Sequence, residues 1–380
     1  MTKSLWLIFM ALCLAKTIKA QNNAIDSLNF STESGLLSIE GYLNGIKTNF
    51  AFDTGASMGV LNSKNINDSK VEIIGSIKIN DSQKKTARIE QAKIDSLRIG
   101  SHSFLNITSV VTDMSFLYCN RFYLLGGDVI NKLNWKFDFD KKIVYFSKMP
   151  FVPQNRMTQM PIKITANRHF SNLNIAGIEI DNVLIDFGFG GNCTMDIEAK
   201  TTKKIINKQL NERLYKSRSF SSGLNSNSIG KETTSFFVDS VVFGGLTFNN
   251  FKVNAMEQTH NKIGLFFLRK NFNQVILNNT ELKYWLLPNH ISPQKPTNFD
   301  AGFYFNDSRK IQVVALNCTA NNSANVLRVG QEVNAINGRA AATFTDTCHF
   351  ITWYAEQIKK QELLVEQLDG TKIILTKSTY

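Results

Sequence analysis

Histidine and cysteine are scarce, five of each in 380 residues, with no Cys-x-x-Cys spacing and no two histidines close together. A zinc site is therefore not expected, nor any other metal or cofactor. No apolar run beyond the N-terminus approaches the roughly 20 residues that span a bilayer. No serine and histidine fall into a persuasive arrangement in the sequence, so a serine hydrolase is not expected. Lysines and arginines outnumber acids, giving a formal charge of +12, but pairs such as Lys84-Lys85, Lys203-Lys204 and Lys359-Lys360 are scattered rather than interleaved with aromatics. They read as solvated faces, and no nucleic-acid partner is expected. Proline is sparse, and three of the six, Pro288, Pro293 and Pro296, fall within nine residues.

What is present is globular: 43% hydrophobic and 11% aromatic residues, in a chain long enough for two or three cores. Residues 1–20 carry an early lysine, an apolar run from Leu5 to Ala15 and an alanine at 20. That is the plan of a signal peptide, and export to a periplasm, a cell surface or the medium is the expectation. Lys16, Ile18 and Lys19 leave cleavage after Ala15, or no cleavage, open. Removing 1–20 takes three lysines and no acid, leaving +9. Of the remaining cysteines, Cys119, Cys193, Cys318 and Cys348, the local pair is Cys318 with Cys348; Cys193 reads as a buried thiol or half of a disulfide.

The stretch NVLIDFGFGGNCTMD, residues 182–196, admits several readings. A kinase Asp-Phe-Gly needs a Gly-rich loop and a His-Arg-Asp loop, and neither is present. A dinucleotide fingerprint would need glycine where Cys193 stands. The stretch is instead a second copy of something earlier. NGIKTNFAFDTGASMGVLN, residues 44–62, has the same layout, with Asp53 and Asp186 133 residues apart. IDSLRIGSHSFLNI (94–107) matches VDSVVFGGLTFNNF (238–251), and LLGGDVINKLNWKFDFDKKIVYF (124–146) matches KIGLFFLRKNFNQVILNNTELKYW (262–285). Landmarks kept in order at drifting offsets indicate an internal duplication.

Each copy reads as strands, with one short helical pattern after the Leu-Gly or Ile-Gly landmark, at 128–133 and 266–270. The proline cluster marks a connector. The tail shows short strands and a helical stretch at 345–359. The expected divisions are a leader at 1–20, lobes at 21–150 and 151–287, a linker at 288–298 and a module at 299–380.

An aspartate that ends an apolar strand and enters a glycine turn points into a partly desolvated cleft. Two such aspartates brought together cannot both ionise; they hold one proton between them and can activate a water. By chance alone, Asp-Thr-Gly would occur in roughly one chain in ten of this length. The apolar strand, the duplication and the Leu-Leu-Gly-Gly-Asp landmark give it weight.

With these features the sequence resembles the pepsin and retropepsin class of aspartic proteases. More narrowly, it resembles secreted bacterial members with two retropepsin-like lobes and a C-terminal PDZ domain. The resemblance implies a mainly β, bilobal acid-protease fold followed by a small PDZ-like α/β module. It implies Asp53 and Asp186 as the catalytic pair, Thr54 as the residue whose hydroxyl braces the opposing loop, Gly55 and Gly188 as turn glycines, and Ser57 as support behind Asp53. LRVGQEVNAINGRAA (327–341) is similar to a PDZ segment, and DAGFYF (300–305) to the loop that receives a peptide carboxylate. Ala301, Gly302 and Phe303 are thereby candidate contacts for a C-terminal peptide, by strand addition; a module that only packs on the lobes is the alternative. The partner implied is a peptide or protein substrate, and the chain is expected to be monomeric.

The second loop departs from the pattern, with Phe187 where Thr or Ser stands and Gly190 opposite Ser57. Loss of both hydroxyls leaves two outcomes: a one-sided working dyad, or a lobe that binds peptides without cutting. A third arrangement pairs two first lobes in a homodimer. The candidate flap is SIKINDSQKKTARIEQ, residues 76–91; His102 in GSHSF is read as a loop residue.

Overall fold

A computed structural model describes residues 25–32, 35–114, 122–209, 214–224, 227–289, 297–317 and 326–379. The expected leader, Cys119, Cys318 and most of the proline-rich connector lie outside the described residues. Among the described residues no helix is long and apolar enough to cross a membrane.

The chain is mainly β, and its two copies fold alike. Each starts with a hairpin, Ser38–Leu43 with Ile46–Phe52 and Arg168–Ile175 with Ile178–Asp186, whose second strand ends at the aspartate loop. A short strand follows, then a long hairpin: Glu72–Asn80 with Thr86–Ile99 in the first lobe, Leu214–Ser222 with Asn227–Phe243 in the second. After one more strand the chain returns through Phe122–Leu125, parallel to Ile46–Phe52 and antiparallel to Val60–Asn62. Lys262–Gly264 does the same between Ile178–Asp186 and Cys193–Asp196. Short helices, Gly127–Ile130 and Leu265–Asn271, close the two motifs. The parallel insertion needs a long excursion before the strand can return, and its occurrence twice at matching landmarks is the structural form of the sequence repeat.

A six-stranded antiparallel sheet joins the lobes, in the order Thr158–Pro161, Lys283–Pro288, Phe272–Asn278, Asn134–Asp138, Ile143–Ser147, Asp26–Ser31. Its seam pairs Val275 with Phe137 and Leu277 with Trp135. One hydrophobic cluster runs through both lobes and includes Phe52, Trp135, Phe137, Ile185, Phe187 and Val275. At about 1.5–3 kcal/mol for each large side chain buried, this shared core makes the lobes one cooperative body rather than beads on a linker.

The tail has a separate core containing Phe303, Phe305, Val313, Phe344, Phe350 and Val365, with a helix at Thr347–Gln357 capped by Asp346, which accepts from His349 N at 2.8 Å. It meets the second lobe where Arg218 pairs with Leu316 and Phe220 stacks on Tyr304 at 5.7 Å. The expected carboxylate loop is different: Ala301, Gly302 and Phe303 lie in a strand, Ala301–Phe305, paired with Ile311–Leu316. Alternate burial of Ala301, Phe303 and Phe305 in the module's core holds this segment extended. A helix at Lys200–Asn207 was likewise not expected; its buried face is Thr202 and Ile205.

Candidate active site

The strand Ile46–Phe52 buries Phe50, Ala51 and Phe52, and Ile178–Asp186 buries Val183, Leu184 and Ile185. Each therefore delivers its aspartate from a rigid support. The two loops face each other closely. A Cβ on Gly55 would lie 2.5 Å from Asp186 Cγ, and one on Gly188 would lie 2.2 Å from Asp53 Cγ. Each carboxylate thus rests against the other loop's glycine, and any side chain at either position would push the carboxylate away. The amides of Gly55 and Ala56 donate to Asp53 Oδ1 at 2.7 and 3.0 Å.

Thr54 is fully buried and binds the opposing loop twice. Its hydroxyl donates to Ile185 O at 2.5 Å and accepts from Phe187 N at 3.1 Å. Phe187 offers no hydroxyl in return. Its ring, also fully buried, packs on Phe52 and Phe137 with centroids 5.5 and 5.0 Å apart. One loop of the pair is tied by polar contacts and the other by an aromatic plug.

Gly190 has a steric reason. A Cβ there would come 2.9 Å from the carbonyl oxygen of Gly35, so a serine matching Ser57 does not fit. Ser57 itself meets the second lobe through its carbonyl, which accepts Asn167 Nδ2 at 3.0 Å; the bracing of Asp53 comes from the Gly55 and Ala56 amides. Cys193 is buried and free, its thiol pushed up to about 12 by desolvation, so it is not a nucleophile at ordinary pH.

Burial, and then the neighbouring Asp186, push the Asp53 carboxyl up to about 8, against the Gly55 amide and Lys262, which act in the opposite direction. Lys262 is a candidate site residue that sequence reading missed. It lies on the strand Lys262–Gly264 beside the Asp186 strand, and its Nζ is 3.1 Å from Asp186 Oδ2, with both side chains largely buried. Among the described residues Asp186 Oδ1 has no hydrogen-bond partner. Arg168 adds positive charge nearby; its Nη1 lies 2.9 Å from His260 Nε2. Burial, Arg168 and Lys262 together hold His260 down at about 4, so its ring is neutral and accepts from the guanidinium.

The long hairpins cover the cleft from both sides. In the first, Asp81 accepts from the amides of Gln83 and Lys85 to form a tight tip. That tip touches the second lobe: Ser82 O accepts from Thr259 N at 3.1 Å, Asp81 O from Thr259 Oγ1 at 2.9 Å, and Lys84 pairs with Asp196 at 3.3 Å. Ser228 of the second hairpin bonds Gln83. In return Leu224 O accepts from Thr112 Oγ1 at 3.2 Å. The segment 76–91 is therefore placed as a flap would be. His102 begins a strand of the outer sheet, at its turn.

A search of curated proteins finds no match to the chain. Residues 39–132, which contain the Asp53 loop, the first hairpin and the returning strand, match the family model of the gag-polyprotein putative aspartyl protease. In sequence as in fold, the first lobe is thus similar to retropepsin-like aspartic proteases.

Proposed function

We propose that the protein is an exported aspartic endopeptidase that hydrolyses peptide bonds with Asp53 and Asp186 as its acid and base. The observation that carries this reading is the meeting of the two carboxylates across crossed glycine loops, each against the other's turn. Lys262 is paired with Asp186, and the desolvated Asp53 keeps the proton. Asp186 then takes a proton from water as its oxygen attacks the scissile carbonyl carbon, while Asp53 gives its proton to the carbonyl oxygen. In the second step Asp186 passes the proton it took to the leaving nitrogen. The C–N bond breaks, and Asp53 recovers a proton from the collapsing diol. An extended peptide would lie between the lobes under the two hairpins, and the tail, read as a PDZ-like module, would add a peptide contact. A monomer suffices, since both aspartates come from one chain.

One observation favours a second reading. The ammonium on Asp186 blunts the base the reaction needs, and a cleft so neutralised could hold peptides without cutting them. Cleavage of a diverse peptide library across pH, by the parent, Asp53→Asn and Asp186→Asn, separates the two. The peptidase reading expects cutting by the parent and at least about a thousandfold loss in each variant. A parent that binds peptides and cuts none at any pH overturns it in favour of the receptor.

A further inference from the structure

Strand register identifies which residues of the two lobes are counterparts. In the first lobe Leu124 pairs with Ala51 and Val60, and Val60 with Val110. In the second, Lys262 pairs with Leu184 and Thr194, and Thr194 with Asn254. Cross-strand partners share a face, so Lys262 stands in the place of Leu124, Thr194 of Val60 and Asn254 of Val110. The same alternation puts His260 in the place of Phe122. Ser38 pairs with Ala51 as Phe170 does with Leu184, which puts Arg168, two residues before, in the place of Leu36.

The chemistry of the two sets is opposite. Leu36, Val60, Val110, Phe122 and Leu124 belong to one apolar cluster, against which Ala56 and Met58, just past Asp53, also pack. Their counterparts beside Asp186 are a guanidinium, a hydroxyl, an amide, an imidazole and an ammonium. Gln258, two residues beyond its strand as Met114 is beyond the matching one, extends the difference.

This polar wall is short of acceptors. Arg168 Nε, Thr194 Oγ1 and Gln258 Nε2 are buried with no hydrogen-bond partner among the described residues, and Thr194 and Gln258 are only 1% and 6% exposed. Arg168 has no carboxylate within ion-pair distance among those residues, and Lys262 has only Asp186. Farther along the second hairpin, Lys231 lies in the fields of Glu257 and Asp81 as well as Lys84 and Lys85, so opposing charges offset one another there. At the base, Arg168 and Lys262 face the charge of Asp186, with His260 neutral between them, while Asp196, which accepts from Gln258 N at 3.4 Å, is paired with Lys84. Buried donors without acceptors are costly, and the group that satisfies several donors at once without bringing one of its own is an ionised carboxylate.

We propose that this wall is a specificity pocket for an acidic side chain, so that the bond cut lies between an apolar residue seated on the first lobe and a glutamate or aspartate seated on the second. The proposal rests on the peptidase reading for the word cut, but not for the binding. It gives the cleft a direction, because the two sides of the scissile bond meet opposite chemistry.

The test uses matched peptides with leucine on one side of a central bond and Glu, Gln or Leu on the other, in both orders, assayed for cleavage by the parent and for binding to Asp53→Asn by fluorescence anisotropy. Expected is a preference of roughly ten- to hundredfold for Glu over its isostere Gln in one order. In Arg168→Gln the ratio of Glu to Gln peptide should fall towards one. Equal treatment of Glu and Gln, or a preference for leucine on both sides, overturns the pocket. If the parent cuts nothing while Asp53→Asn still prefers Glu, the pocket stands and the peptidase reading falls. If nothing is cut and nothing is bound, both fall.

Discussion

Replacing Phe187 by threonine would give the second loop the residue that its first-lobe counterpart, Thr54, has. The structure nevertheless predicts a less stable protein. The Phe187 ring is fully buried between Phe52 and Phe137 in the core that both lobes share. Truncating a buried phenylalanine to alanine costs about 3–5 kcal/mol in lost transfer energy and cavity. Threonine recovers part of the volume and gains at most one hydrogen bond, worth about 1 kcal/mol. The net expectation is a loss of about 2–4 kcal/mol. Phe187→Leu, which keeps most of the volume, should lose about 1–2 kcal/mol, and Phe187→Ala the most. Urea unfolding followed by tryptophan fluorescence reports on this region, because Trp135 is buried with its ring centroid 4.9 Å from that of Phe52. The order leucine, threonine, alanine in falling midpoint at constant slope is the expected result. A threonine variant as stable as the parent would refute the reasoning and would mean that the hydroxyl, not the ring, suits this position.

Two further outcomes follow from the same loops. Thr54→Val keeps the shape but leaves Ile185 O and Phe187 N buried and unpaired, at about 2–5 kcal/mol in all, whereas Thr54→Ser should cost less than about 1 kcal/mol; equal urea midpoints for the two variants would remove the bridge from the account. Asp53→Asn should stabilise the fold in a pH-dependent way. The folded carboxyl holds its proton to about 8 while the unfolded one releases it near 3.8, so between these values the folded state binds more protons and the parent loses stability as pH rises. The advantage of Asp53→Asn should grow from pH 4 to 8 and then level off, and unfolding midpoints at pH 4, 6 and 8 that keep a constant gap would contradict it.

Much of the site was legible because its signals are local or repeated. Asp53, Thr54 and Gly55 sit together in one triplet after an apolar strand, and Asp186 was found because the chain says the same thing twice. What stayed hidden depends on contacts distant in sequence. Lys262 is one of 43 basic residues, and nothing near it marks it out; only the parallel pairing of its strand with the Asp186 strand, 76 positions back, brings the ammonium to the carboxylate. Phe187 read as a missing hydroxyl, since sequence shows what a position lacks more readily than what a side chain fills. Phe303–Phe305 was legible as a strand, but Ala301 and Gly302 read as a carboxylate loop by likeness, while their place in the same strand was set by a core assembled from residues up to Leu375.

The departures of the second lobe from the first have a common physical basis. In a dimer of identical lobes every substitution near the axis occurs twice: two phenylalanines would compete for one interlobe cavity, and two lysines would surround the dyad with more positive charge than one shared proton can balance. Fusing the lobes lifts that restriction. Thr54 can serve both loops while Phe187 fills the core beneath them, and a single Lys262 can distinguish one carboxylate from the other. A peptide has a direction and a two-fold cleft does not, so a symmetric site accepts its substrate either way round. An apolar wall beside Asp53 and a cationic wall beside Asp186 remove that degeneracy by the difference in affinity between the two orientations, and the same asymmetry that assigns acid and base then also selects the bond.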